Sequence, residues 1–346
     1  MSAISTGAFA QSSVSIYGRI DVGYKWSNIN TPKFSQNSGQ VTGSRLGFVG
    51  TEDLGNGLRA GFVVEQGFAA DNGESTLNGG LGGRQSFVSL SHKQWGEIRA
   101  GRQYALTDDQ AGNYAPFSTS GYAFGASSYI LNDDQSRLNN ALTYATPKLG
   151  NFTVRLQAGT KESNSNGALT NSSTTVTTGE SRAHYAGALI YANGPAAFSL
   201  TLSKNYGNDT NLDRNNKLIT QIGGSYDLGG VKLFANYEHD GTKAGYGVAG
   251  SSSFGKKNAY LIGVNVPAGP WILKAALGYA ENANRATRST VQGAVKQASI
   301  GADYNFSKRT RAYVGAGLLN GDFDGKGLKT DQRKAKSVVT GLIHTF

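Results

Sequence analysis

The chain has 346 residues, among them 48 Gly, 17 Tyr, 15 Phe, 6 Pro, one Met and no Cys; 38% of it is hydrophobic and its formal net charge is +10. No run of about eighteen apolar residues occurs, which excludes a helical membrane protein, and no sustained apolar stripe at helical spacing suggests a helical bundle. The mean hydropathy of −0.36 looks soluble, yet it is equally that of a membrane β-barrel, in which alternate residues face lipid and the others face water. The positive charge admits nucleic acid, an anionic membrane surface or an anion-attracting cavity as partner, so its placement along the chain has to decide.

Residues 1–10 end in Ala8-Phe9-Ala10, a small-x-small pattern that reads as the remnant of an export signal, with one domain expected over 11–346. From Ser13 the chain alternates: Val14, Ile16, Ile20, Val22, Tyr24 and Trp26 share one parity, and Ser15, Tyr17, Arg19, Asp21 and Lys25 the other. Period two places the two sets on opposite faces of a strand. The pattern returns with Leu46 and Phe48 against Arg45 and Gly47, and with Leu58, Ala60, Phe62 and Val64 against Arg59, Val63 and Glu65. Later strands keep it, with Phe152, Val154 and Leu156 opposing Thr153, Arg155 and Gln157, and Phe198, Leu200 and Leu202 opposing Ser199, Thr201 and Ser203.

Connections alternate in kind. Short ones such as 53–56, 147–150 and 267–270 alternate with long polar ones such as 27–41, 107–136 and 241–256. This asymmetry separates about 16 strands and is the pattern of an antiparallel transmembrane barrel. Aromatics near strand ends, including Trp26, Tyr144, Tyr191, Tyr226, Tyr237, Tyr260, Trp271, Tyr279, Tyr304 and Phe306, suit girdles at two membrane interfaces. The stretch 108–135 has neither strand nor helix periodicity but is rich in aromatics: Tyr114, Phe117, Tyr122, Phe124 and Tyr129, with Tyr104 at its entrance. A long aromatic loop of this kind has to be covered by something, and it is expected to fold into the barrel and narrow it. The chain ends in KSVVTGLIHTF, where Phe346 shares parity with Leu342 and Val338. It reads as a barrel-assembly signal on a last strand that pairs with the first, because an open edge in lipid would be costly.

Several stretches, SSVSIYGRIDVGY, SRLGFVGTEDLGNGLRAGFVVEQGF, GRQSFVSLS, GEIRAGRQY, SRLNNALTY and the terminal GLIHTF, resemble the general diffusion porins of Gram-negative outer membranes, of the beta-proteobacterial anion-selective type. The resemblance implies a 16-stranded antiparallel β-barrel, a homotrimer in outer-membrane lipid and lipopolysaccharide, and a third extracellular loop folded into the lumen. It also implies basic wall residues at Arg45, Arg84 and Arg137. Parity independently turns Arg45 inward against Leu46 and Phe48, and Arg137 inward against Leu138, Leu142 and Tyr144, whereas Arg84 rests on the resemblance alone. The loop departs from the best-known porins at Ala115-Pro116-Phe117-Ser118, which lacks their acidic residue; its acids are Asp108, Asp109, Asp133 and Asp134 near its ends. That favours a positive constriction.

By parity the lumen carries Arg19, Lys25, Arg45, Arg59, Arg99, Arg137, Arg155, Lys232, Lys274 and Arg311 against Asp21, Glu65, Glu97, Glu238 and Asp303. Rings of cations in a low-dielectric pore select anions. The expected constriction is therefore Arg19, Arg45, Arg59 and Arg137, with Arg84 added by the resemblance, Glu65 keeping neighbouring arginines together and Asp108 and Asp109 on the loop. Arg102 has lipid-facing parity, and a guanidinium there needs a partner. By the resemblance, Asp71 or Glu74 on a neighbouring subunit's loop would supply it.

Basic residues dispersed over nearly every strand do not form the single face that nucleic acid requires. The four histidines, His92, His184, His239 and His344, fall on separate strands without a nucleophile elbow, so no enzyme is expected. No cofactor or metal is expected: no helix follows Gly315-Ala316-Gly317 to make a phosphate loop, and Asp322-Phe323-Asp324-Gly325 lacks the downstream Glu of a calcium loop. The leading expectation is a passive channel for small anions and hydrophilic solutes. A substrate-specific channel for an organic acid, phosphate or sugar, with the loop aromatics as a stacking track, is one alternative, and a surface adhesin is another.

Overall fold

Alternation carries nearly the whole chain into strands. The computed structural model describes residues 12–29, 32–77, 80–118, 130–131, 136–160, 183–206, 217–241, 255–283, 294–321 and 334–346. The residues read as an export-signal remnant, Tyr122, Phe124, Tyr129, Asp133, Asp134 and the stretch Asp322–Gly325 lie outside them.

The strands are β1 (Ser13–Ser27), β2 (Phe34–Ser38), β3 (Arg45–Gly55), β4 (Leu58–Gly67), β5 (Gln85–His92) and β6 (Gly96–Tyr104). After the helix α1 (Leu106–Asn113) come β7 (Arg137–Ala145), β8 (Phe152–Gly159), β9 (Ala183–Asn193), β10 (Ala196–Tyr206), β11 (Lys217–Asp227) and β12 (Lys232–Asp240). The last are β13 (Gly255–Ala268), β14 (Trp271–Ala283), β15 (Ala294–Asn305), β16 (Thr310–Asn320) and β17 (Lys334–Thr345). From β3 onward each strand pairs antiparallel with the next, and β1 pairs with both β3 and β17. Sixteen strands thus close a barrel, and β2 is extra.

That extra strand corrects the expectation of a plain loop over 27–41. β3 accompanies β1 only from Ser13 to Arg19, and β2 takes its place beside β1 from Val22 to Trp26. The upper half of β1 would otherwise present an unpaired edge, so the chain folds back to cover it. At the other side of β1, Phe346 exchanges backbone bonds with Gly18 at 3.0 and 3.1 Å. The terminal aromatic therefore sits on the seam where the barrel shuts.

The outer face is apolar along the strands: Val14, Ile16, Val88, Leu142, Leu156, Ile262, Leu277 and Ile300 are all more than half exposed. In a closed barrel the backbone needs nothing from lipid, so this belt can face hydrocarbon. Aromatics bracket it. Toward the long loops Tyr237, Tyr260 and Tyr279 line up with ring centres 5.2 and 6.4 Å apart. Toward the short turns Phe152, Tyr191 and Phe198 pack at 5.0 and 4.7 Å, and Trp271, Tyr304 and Phe306 at 4.8 and 4.9 Å.

Two local departures from the sequence reading bear on the pore. The stretch after β6 opens with α1, which has Asp108 and Asp109 in its first turn, where carboxylates suit the helix dipole, but no side-chain cap. Eight residues cannot hold a helix alone, so the contacts of α1 with the wall at β9, β10 and β11 hold it. In β7 the alternation resets at Asn140, whose φ is 48°. Leu138 is consequently 3% exposed and buries with Ala105 and Ala141, while Leu142 stays outside. Strict parity was the wrong reason for turning Arg137 inward.

Candidate functional site

The chain leaving β6 is fastened to the lumenal wall. Gln157 on β8 donates to the Tyr104 carbonyl at 3.0 Å and accepts the Leu106 N–H at 3.2 Å. Arg155, two residues before it, pairs with Asp109 at 2.7 Å. Asn236 on β12 donates to the carbonyls of Ala111 and Tyr114 at 3.3 and 3.2 Å, tying down the end of α1. Three inward glycines then make room for loop side chains: a Cβ at Gly223, Gly263 or Gly278 would collide with Tyr114, Pro116 or Ile130 respectively. Phe117 buries with Tyr313, Val339 and Ile343 of the closing strands and with Val41. The described residues of the loop therefore lie against the β8–β17 side of the barrel.

The basic cluster rises from the other side. Glu65 on β4 is 2% exposed and is its hub. Its Oε1 accepts Arg84 Nε at 2.7 Å and lies 3.8 Å from Arg45, and its Oε2 accepts the Tyr17 hydroxyl at 3.0 Å. Arg84 reaches on to the Tyr104 hydroxyl at 2.5 Å, which also accepts Arg137 at 2.9 Å. Arg137 lies 4.4 Å over the Tyr104 ring as well. Arg19 is the cross-strand partner of Arg45, and both donate to the Thr42 hydroxyl, at 3.3 and 2.6 Å. Two guanidiniums thus meet the Glu65 carboxylate, and two more are joined to them through neutral acceptors, Arg137 through Tyr104 and Arg19 through Thr42. Like charges can stand this close because each fork has a directed partner.

Of the residues expected at the constriction, Arg19, Arg45, Arg84, Arg137 and Glu65 come together. Arg59 does not. It sits at the short-turn end of β4, 3.9 Å from Asp53 and largely exposed, six residues from Glu65 and so roughly 20 Å away along the strand. Parity gave its face correctly and could not give its height. Asp109 is on the loop but is spoken for by Arg155, and Asp108 is buried on α1. Arg102 faces outward and donates to the Gly83 carbonyl at 2.8 Å and to Asn139 within its own chain. Asp71 and Glu74 are exposed on the connection after β4.

Sequence reading missed Tyr17, Thr42 and the bridging role of Tyr104. Tyr17 shares parity with Arg19, a signal that was available, whereas Thr42 enters only through the fold of the first long connection. The loop aromatics that are described do not form a stacking track. Tyr114 and Phe117 are 4% and 2% exposed, spent on packing the loop to the wall, and Tyr104 is engaged by the arginines. A second cationic group stands on the wall: Lys274 and Arg311 flank the buried Asp303 at 2.7 and 3.2 Å. Among the described residues no cluster of His, Cys, Asp and Glu could hold a metal ion.

Comparison with known proteins agrees with this architecture. A family model described as Gram-negative porin matches residues 1–324. Outer membrane porin protein 32 of Delftia acidovorans is 31% identical over 99% of this chain and 94% of its own, and an outer membrane porin protein of Bordetella pertussis is 28% identical over 98% and 96%. The solved anion-selective porin from Comamonas acidovorans superposes with a TM-score of 0.73 at 25% identity, covering 97% of this chain and 100% of that one. A closed 16-stranded barrel with a loop inside it, an apolar belt and relatives of this kind over its whole length lead to one assignment: the chain belongs to the Gram-negative porin family, as an outer-membrane β-barrel channel for passive diffusion.

Proposed function

We propose that this channel passes small hydrophilic solutes with a preference for anions, and that Arg19, Arg45, Arg84 and Arg137 set the preference. The observation that carries this reading is the cluster of four guanidiniums in which Arg84 and Arg45 meet the Glu65 carboxylate while Arg137 and Arg19 are joined to them through Tyr104 and Thr42, opposite a loop whose acid Asp109 is paired off by Arg155. Fixed positive charge in a narrow pore concentrates counter-ions and rejects cations. Arginine also stays charged at any working pH and offers a planar fork to carboxylate or phosphate. The similarity to a porin titled anion-selective supports the same reading.

The assembly that fits is a homotrimer in lipid and lipopolysaccharide, with Arg102 and the Asp71–Glu74 connection on the subunit contact. Support for that contact is the outward parity of Arg102 and the exposure of both carboxylates. Liposome swelling with a sugar acid, a neutral sugar and an amino sugar of equal size tests the preference. Entry in that order is expected, and equal rates for all three would refute it.

A further inference from the structure

Asp21 stands in the middle of β1 on the lumenal face, yet it is fully buried. Its Oδ2 accepts the backbone N–H groups of Val41 and Thr42 at 2.8 and 2.9 Å, and its Oδ1 accepts the Tyr313 hydroxyl from β16 at 2.8 Å. Its own N–H donates to the Ser44 hydroxyl at 3.0 Å, and its carbonyl accepts from Gly39 at 2.8 Å and from that Ser44 hydroxyl at 3.2 Å. One aspartate therefore folds residues 39–44 back into the barrel.

That segment in turn grips the arginines. Thr42 takes Arg45 at 2.6 Å and Arg19 at 3.3 Å on its hydroxyl, and the Gly43 carbonyl takes Arg45 Nε at 3.0 Å. Gly43 also lies against Arg84, where an added Cβ would stand 2.9 Å from Nη1. Three of the four clustered guanidiniums thus rest on a segment that the barrel wall does not itself supply. Buried Phe117 of the inward loop packs into the same cluster as Val41 and Tyr313, so both inward segments meet on this anchor.

We propose that Asp21 is a positioning residue for ion selectivity: through residues 39–44 it fixes where Arg19 and Arg45 stand, and this segment acts as a second constriction element beside the long inward loop. The inference rests on the anion-preference reading above and adds the part that holds the arginines in place. Positioning and simple charge make opposite demands. Deleting a negative charge from the lumen raises anion preference if only net charge counts. If Asp21 positions the arginines, its loss frees residues 39–44, lets the guanidiniums drift into bulk-like hydration, and lowers the preference.

The test is the zero-current potential of single channels under a salt gradient for the wild-type protein and for Asp21→Ala, Asp21→Asn and Thr42→Val. Thr42→Val removes only the shared acceptor and leaves the charge unchanged. The expected result is a severalfold fall in the anion-to-cation permeability ratio for Asp21→Ala and Thr42→Val. Asp21→Asn, which keeps an oxygen for the two N–H groups, should retain most of the preference. An unchanged or raised ratio in Asp21→Ala overturns the proposal, as does an unchanged ratio in Thr42→Val, the variant that decides if Asp21→Ala fails to assemble. A wild-type potential of cation-selective sign would instead overturn the anion reading itself.

Discussion

Arg84 and Arg137 share one acceptor: the Tyr104 hydroxyl receives Nη2 of Arg84 at 2.5 Å and Nη2 of Arg137 at 2.9 Å. Two guanidiniums brought together this way repel, and the lone pairs and π face of Tyr104, together with the Glu65 carboxylate, offset the repulsion. Tyr104→Phe keeps the ring and removes the acceptor. Hydrogen bonds to charged groups contribute about 1.5–3 kcal/mol each when buried and less where water reaches them. The variant should assemble normally and show a reversal potential closer to zero, because the two forks are no longer aligned. A wild-type potential in Tyr104→Phe would mean that the arginines find their places without the phenol.

Glu65 is the counter-charge of the cluster, with side-chain exposure of 3% beside Arg84 at 9%. Removing one partner of so buried a pair costs about 3–5 kcal/mol. Glu65→Gln should therefore lower the temperature at which the folded barrel converts to the unfolded chain, read by the loss of its β-sheet circular dichroism. An unshifted conversion temperature would show that water, and not Glu65, compensates these arginines.

Gly263 is where the inward loop touches β13, with Pro116 in the space a side chain would occupy. Gly263→Val has to push Pro116 away from the wall and into the aqueous path. Single-channel conductance should fall while the sign of selectivity persists, since the arginines stand across the lumen. Unchanged conductance would place the narrowest point elsewhere.

Selectivity built from fixed lumenal charge must weaken with salt. The screening length shortens from about 10 Å at 0.1 M to about 3 Å at 1 M, below the scale of a pore. The permeability ratio should decline steadily toward that of free ions over this range, and a salt-independent ratio would argue for discrimination by size.

How much of this was legible in the sequence follows from which interactions are periodic. Strand number, barrel closure and the lumenal parity of Arg19, Arg45 and Glu65 were readable, because alternation is enforced by a membrane on one side and water on the other. Height along the barrel was not, since period two is silent about it: Arg59 shares its face with Glu65 but lies near the turn. Arg137 reached the cluster although its parity argument failed, because Asn140 adopts a positive φ and resets the alternation in β7. Tertiary support also hid α1 and β2. A capless eight-residue helix and a five-residue strand form here because Asn236, Gln157 and β1 meet them. The same holds for Thr42, whose place beside two arginines exists only once Asp21 has folded residues 39–44 inward.

The most direct measurement is the zero-current potential in a planar bilayer under a salt gradient, for the wild-type protein and for Arg45→Ala/Arg137→Ala. The expected result is a potential of anion-selective sign that shrinks toward zero in the double variant, with the channel still conducting. A cation-selective potential, or an anion-selective one that the double variant leaves intact, would contradict the assignment of selectivity to this arginine cluster.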